Sequence, residues 1–341
     1  MLAMHMANEL LTPGVAGAFI VLSAGGLAMA SRLARKDSDP FRVPLMGVLG
    51  AFVFAAQMIN FPILPGTSGH LGGGVLLAIL LGPHAATLVM AAILIVQCLI
   101  FQDGGLLALG TNILNLGIVP CYLGSALFHL LAGARPATAR LYAAVFAATL
   151  VGMVAGAALV PVEVWLSGRI TVPLREFLVV MVGLHLLIGL GEAIITFLVV
   201  GYVCRVRPTL LGPVAERLHA SGRGLSLTAV AASFGVIAVL LAGVVSLYAS
   251  SSPDALESIT AAEGSDAPAR IAGEADPTIE RVTALQHRTA PLPDYQVPGW
   301  SETAGTSVSG LIGTAVTLAL VLLIGRAVRR PVHEHAHPHP H

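Results

Sequence analysis

Leu71-Gly72-Gly73-Gly74-Val75-Leu76-Leu77-Ala78-Ile79-Leu80-Leu81-Gly82 is too short to cross a bilayer as a helix, yet the topology turns on whether it crosses. A spanning helix needs about 20 mostly apolar residues. Upstream, residues 14–31 qualify, a basic loop with Arg32, Arg35, Lys36 and Arg42 follows, and residues 45–64 return. Downstream, residues 85–101, 106–132, 141–166 and 177–204 qualify, with Arg135 and Arg140 in one loop and Arg205 and Arg207 after the last span. Basic loops collect on the cytoplasmic side. Putting all of them there requires an odd number of crossings, about seven, and residues 71–82 must supply one. That stretch is therefore expected as a short or partly re-entrant helix supported by its neighbours. The amino terminus and the loop around His70 then both lie outside.

Composition agrees with a multi-pass membrane protein. Charged residues make up 11% of the chain, against roughly 25% in soluble domains. The formal net charge is zero, so nothing points to nucleic acid. Cys98, Cys121 and Cys204 all fall in apolar segments, where a cysteine acts as a small buried hydrophobe. Met1-Leu2-Ala3 is too short for a signal peptide and follows no basic region. Beyond residue 207 comes a second unit. Residues 225–249 span outward, an acidic polar loop covers 250–303, and residues 304–325 return to Arg326, Arg329 and Arg330. The fold expected is an all-α polytopic membrane protein, a bundle of about seven helices with a C-terminal two-helix hairpin.

Chemistry is confined to two polar pieces about 65 residues apart: Met4-His5-Met6-Ala7-Asn8-Glu9 and Asn60-Phe61-Pro62-Ile63-Leu64-Pro65-Gly66-Thr67-Ser68-Gly69-His70. A histidine that follows a free amino-terminal residue is a strong chelator. The amine of Met4, the deprotonated amide nitrogen of His5 and its Nδ1 close fused five- and six-membered rings, and His70 can fill the fourth position of the square. Square-planar nitrogen donors favour Ni(II) or Cu(II), with Co(II) also able to bind. This geometry requires Met4, not Met1, to carry the free amine.

The motifs MHMANELLTP, NFPILPGTSGHLGGG, QDGG, GTNILNLG and IGLGEA together resemble the CbiM/NikM family, the membrane S components of energy-coupling-factor transporters for cobalt or nickel. The segment Ser252-Pro253-Asp254-Ala255-Leu256-Glu257 is similar to the PDGLE pattern of the small N component. The resemblance implies a metal-binding membrane domain over residues 4–207, a cytoplasmic linker over 208–224, an N-component-like hairpin over 225–330 and a His-rich cytoplasmic tail over 331–341. It also implies a plasma-membrane location and partners: a transmembrane coupling subunit and ATP-binding cassette ATPase subunits. Ni(II) or Co(II) is then the transported substrate, with no organic cofactor. The chain has no Gly-Lys-Ser/Thr phosphate loop, so it is expected to be a transporter subunit, not an ATPase.

Other polar residues within the apolar segments have two readings each. Asn60, Thr67, Ser68, Gln97, Asn112 and Asn115 either orient the site or hydrogen-bond helices together. His185 and Glu192 stand seven residues apart and share a helix face. They either stabilise the bundle or form the proton relay of a self-sufficient secondary metal carrier, which is the competing function.

Overall fold

The structure is a computed structural model and describes residues 5–36, 43–133, 136–214, 225–260 and 276–328. The tail histidines, Met4 and most of the linker at 208–224 lie outside the described residues. Among these residues, six helices are long and apolar enough to cross a membrane. They are α1 (Pro13–Lys36), α4 (Pro83–Phe101), the run Leu109–Ala132, α7 (Thr138–Ser167), α8 (Leu174–Val206) and α12 (Glu302–Val328). Two shorter apolar helices, α2 (Val43–Gln57) and α9 (Leu227–Gly243), complete the set. The chain is an all-α polytopic membrane protein.

The stretch 71–82 forms α3, Gly74–Leu81, buried at every residue. It ends at Gly82, where φ of +81° and the following Pro83 break the helix and start α4. The chain runs from His70 through α3 and back along α4 to Asp103, which touches His5. Because the rings of His5 and His70 also lie together, this excursion starts and finishes on one side.

One expected span is shorter than the apolar run suggested. Helix α2 stops at Gln57, and the end of the 45–64 stretch becomes β1 (Phe61–Leu64), paired antiparallel with β2 (Thr67–Gly69). Pro62 and Pro65 cannot continue a helix, and Gly66, at φ +77°, makes the turn between the strands. The rest of α2 is buried on nearly all sides, as an all-apolar helix must be. It lies between α4, α9 and α12, with Gly47 against Leu318 and Leu322 and Gly50 against Val89 and Val321. The C-terminal hairpin is thus packed into the bundle through small residues.

The run Leu109–Ala132 is not one uniform helix. Helix α5 (Leu109–Asn112) passes through a π-helical turn at Ile113–Ile118 into α6 (Val119–Ala132). Such turns free a carbonyl and redirect side chains. Here the turn sets Asn112 and Asn115 on the cavity described below, and a Cβ on Gly156 of α7 would collide with the Asn115 carbonyl. Residues 250–303 are also more than a polar loop. Their described residues form α10 (Ala255–Thr260), α11 (Pro277–Thr289) and a 3-10 turn at Pro293–Tyr295, which lie over the site.

Candidate metal site

The amino-terminal segment is held in place one group at a time. The Asn112 side chain accepts from the Met6 N–H (3.1 Å) and donates to the Met6 carbonyl (3.2 Å), which also accepts from the Gly105 N–H (2.9 Å). Asn8 accepts from the Leu107 N–H (2.8 Å) and donates to Gln286 of α11 (3.0 Å). Gln286 in turn donates to the Gly104 and Cys98 carbonyls. Segment, turn and C-terminal unit form one hydrogen-bonded block.

His5 is buried within that block. Its Nδ1 donates to Asp103 Oδ1 at 2.9 Å, and the other Asp103 oxygen accepts from the Tyr295 hydroxyl at 2.7 Å. Gln102, Asp294 and Tyr295 sit at φ of 58°, 53° and 57°, so the backbone beside Asp103 and at Tyr295 is of a kind that non-glycine residues seldom adopt. Tyr295 also stacks on Phe101, with ring centres 4.4 Å apart. Burial alone would raise the Asp103 carboxyl, but the neighbouring His5 and the hydrogen bonds from His5 and Tyr295 hold it below its ordinary value. In the tautomer that donates Nδ1–H to Asp103, the His5 lone pair is on Nε2, an atom buried with no hydrogen-bond partner among the described residues.

His70 approaches from the hairpin. Its ring centre is 5.3 Å from that of His5, and its Nδ1 donates to the Leu71 carbonyl at 3.0 Å, which also leaves the lone pair on Nε2. The hairpin is fastened to the C-terminal unit: the Ser68 N–H donates to the Pro253 carbonyl (2.8 Å) and its Oγ to the Ser252 carbonyl (2.6 Å). The Asn60 carbonyl accepts from the Ser250 N–H at 2.7 Å, while its side-chain oxygen is buried without a partner among the described residues. Thr67 opens β2 opposite Leu64.

Asp254 and Glu257 form a reciprocal cap on α10: the Glu257 N–H donates to Asp254 and the Asp254 N–H donates back to Glu257. Burial pushes the Asp254 carboxyl up to about 7, although the Glu257 and Leu256 N–H groups and His5 act to lower it. Between the ordinary 3.8 and about 7, the folded segment keeps a proton that the unfolded chain has released. Its contribution to stability is therefore complete below 3.8 and is lost as pH rises through 7. Hydrogen-exchange protection of residues 255–260 is expected to fall between about pH 4 and 7 and to level off above, and Asp254→Asn to flatten that dependence.

These groups surround a cavity of about 70 Å3, lined among others by His5, His70, Asn112, Asn115, Glu192 and Asp254. Helix α8 also brings His185 to it, with Nδ1 donating to the Met181 carbonyl at 2.8 Å. Both oxygens of Glu192 are engaged, accepting from the N–H groups of Gly72 (2.8 Å) and Gly73 (3.0 Å). Gln97 lies one layer out and donates to Gln57 Oε1 at 2.9 Å. The Asn115 amide nitrogen donates to Glu163 of α7 at 2.7 Å, and the Asn115 side-chain oxygen and the second Glu163 oxygen are buried without a partner among the described residues.

Sequence reasoning passes over Gln57, Glu163, Gln286 and Tyr295. Glu163 is legible, since a carboxylate inside an apolar span demands an explanation. Tyr295 and Gln286 are not, because their partners lie almost 200 residues away. Among the described residues, no three His, Cys, Asp or Glu side chains are grouped to hold a metal ion. A site at the His5–His70 pair must take further donors from elsewhere, backbone nitrogen included.

Comparison with known proteins agrees along almost the whole length. The model of the cobalt uptake substrate-specific transmembrane region, CbiM, matches residues 5–210, and the PDGLE domain matches residues 228–330. A putative fused nickel transport protein NikMN of Archaeoglobus fulgidus is 35% identical over 326 residues, covering 96% of this chain and 99% of that protein. The fused nickel transport protein NikMN of Rhodobacter capsulatus is 29% identical over 338 residues, covering 93% and 95%. A crystal structure of a transition metal transporter superposes with a TM-score of 0.54 at 29% identity, covering 63% of this chain and all of that one.

Proposed function

The chain belongs to the CbiM family of cobalt and nickel transport proteins, and from that premise we propose that it is the substrate-binding membrane subunit of an ATP-driven, energy-coupling-factor importer for Ni(II) or Co(II). The observation that carries this reading is the meeting of His5 and His70 beside a small buried cavity. The coupling subunit and the ATP-binding cassette pair supply the energy, and this chain supplies the metal site. The orientation has the amino terminus outside and the C-terminus inside. Residues 4–207 form the metal domain, 225–330 the hairpin, and 250–303 the outer cover that seats the amino-terminal segment.

In this reading the Met4 amine, the His5 amide nitrogen, His5 Nδ1 and His70 Nε2 make the square. Capture then exchanges the Nδ1–Asp103 hydrogen bond for the metal. One observation favours a second donor arrangement: Nδ1–H on a carboxylate with Nε2 bare is the usual posture of a metal-bound histidine. The two separate spectroscopically. The chelate makes Ni(II) yellow and diamagnetic, whereas two Nε2 donors with oxygen ligands leave it paramagnetic.

Uptake of radioactive Ni(II) and Co(II) into proteoliposomes tests the function. Uptake that requires the coupling subunit, the ATPase pair and ATP supports it, and uptake by this chain alone overturns it in favour of the secondary carrier. The two hydrogen bonds held by Glu192 support a fixed carboxylate over a mobile relay.

A further inference from the structure

We propose that Glu192 and Gln57 are positioning residues for His70, gripping the Gly72–Gly73 backbone from opposite helices so that the imidazole is presented at a fixed depth. The inference rests on His70 being a metal ligand. Glu192 on α8 takes two consecutive N–H groups, and Gln57 at the end of α2 donates to the Gly72 carbonyl at 2.7 Å. Gln57 is itself oriented by Gln97. All of these side chains are buried, and a low-dielectric setting strengthens such bonds. The run of glycines after His70 now has a physical reason. A Cβ on Gly72 would meet Glu192 Oε2 at 3.0 Å, one on Gly73 would collide with Val53, and one on Gly74 would lie 2.8 Å from the Leu116 carbonyl. Gly73 also has φ +79°, a left-handed conformation that favours glycine. Only bare backbone fits between the two clamping side chains.

The grip reaches His70 through two peptide units, so loosening it moves the ligand without removing it. Glu192→Gln keeps the shape but sets an amide NH2 against one of the two N–H groups. Gln57→Met keeps the length and drops the donor without changing charge. With purified full-length protein and Ni(II) as probe, Glu192→Gln is expected to raise Kd at least tenfold and Gln57→Met about fivefold, from the loss of one charge-assisted and one neutral hydrogen bond. In the assembled importer the KM for Ni(II) rises while the maximal rate of correctly folded protein is kept. The Ni(II) absorption band is expected to shift in both variants, which a change in global stability alone would not produce.

Glu192→Gln with unchanged KM and a collapsed maximal rate overturns the proposal and makes Glu192 a relay. An effect of Glu192→Gln without any effect of Gln57→Met also overturns it, because then only the charge acts on the metal. Should Glu192→Gln fail to fold, Gln57→Met decides alone. Ni(II) binding that survives His70→Ala removes the site reading and the clamp together. His70-dependent binding that ignores both substitutions removes the clamp only.

Discussion

Replacing His70 by alanine is expected to lower the affinity for Ni(II) and Co(II) on the order of a hundredfold. Four-ligand sites of nitrogen and sulfur bind with about 10–16 kcal/mol, so one ligand is worth roughly 3 kcal/mol. The substitution leaves the hairpin fastened, because Ser68 and Asn60 hold it to the C-terminal unit through bonds that do not involve the imidazole. Titration of the purified protein, with the histidine-rich tail removed, measures the loss. An unchanged thermal midpoint separates it from misfolding. Wild-type affinity in His70→Ala would move the site away from the His5–His70 pair.

The second large effect comes from the amino terminus. If the Met4 amine is a ligand, protein beginning at Met4 binds Ni(II) one-to-one with a yellow diamagnetic spectrum. Protein beginning at Met1 has that amine locked in a peptide bond. It is expected to bind at least about a hundredfold more weakly, by the same energy per ligand. Affinity in the Met4 form also falls as pH falls, because protons compete for the amine, the imidazoles and the amide nitrogen. Equal binding by both forms selects the second arrangement, with His5 bound through Nε2 and its Nδ1 left on Asp103.

The two arrangements make opposite demands on Asp103 and Tyr295. In the chelate, Asp103 gives up His5, and a bond that also ties Tyr295 of the C-terminal unit is released from one side. In the Nε2 arrangement the same bonds stay closed throughout. If the chelate forms, residues 276–303 sense it through Asp103, a physical reason for the fused C-terminal unit to accompany residues 5–210.

Much of this architecture is legible in the amino-acid sequence. Spans such as α4, α7 and α8 follow from apolar length, because a bilayer of fixed thickness imposes the same demand on every crossing. A short helix at 71–82 is expected from the count of basic loops, and α3 forms there with every residue buried. The hairpin at 61–69 is hidden inside an apolar run, although Pro62 and Pro65 forbid the helix that hydropathy suggests. Within the site, His5 and His70 stand out by chemistry. Gln57, Gln286 and Tyr295 do not, since glutamine and tyrosine carry no signal until their partners are known.

The amino-acid sequence by itself determined that this is a multi-pass membrane protein, where its main apolar helices lie and which two histidines are the candidate metal ligands. Those are local properties of composition, length and side-chain type. Tertiary structure alone decided that Asp103 holds His5, that Glu192 grips glycine backbone instead of standing free, and that residues from the far end of the chain close the site. Buried polar groups must find partners wherever the fold brings them, and the partner's distance along the chain leaves no trace in the local sequence.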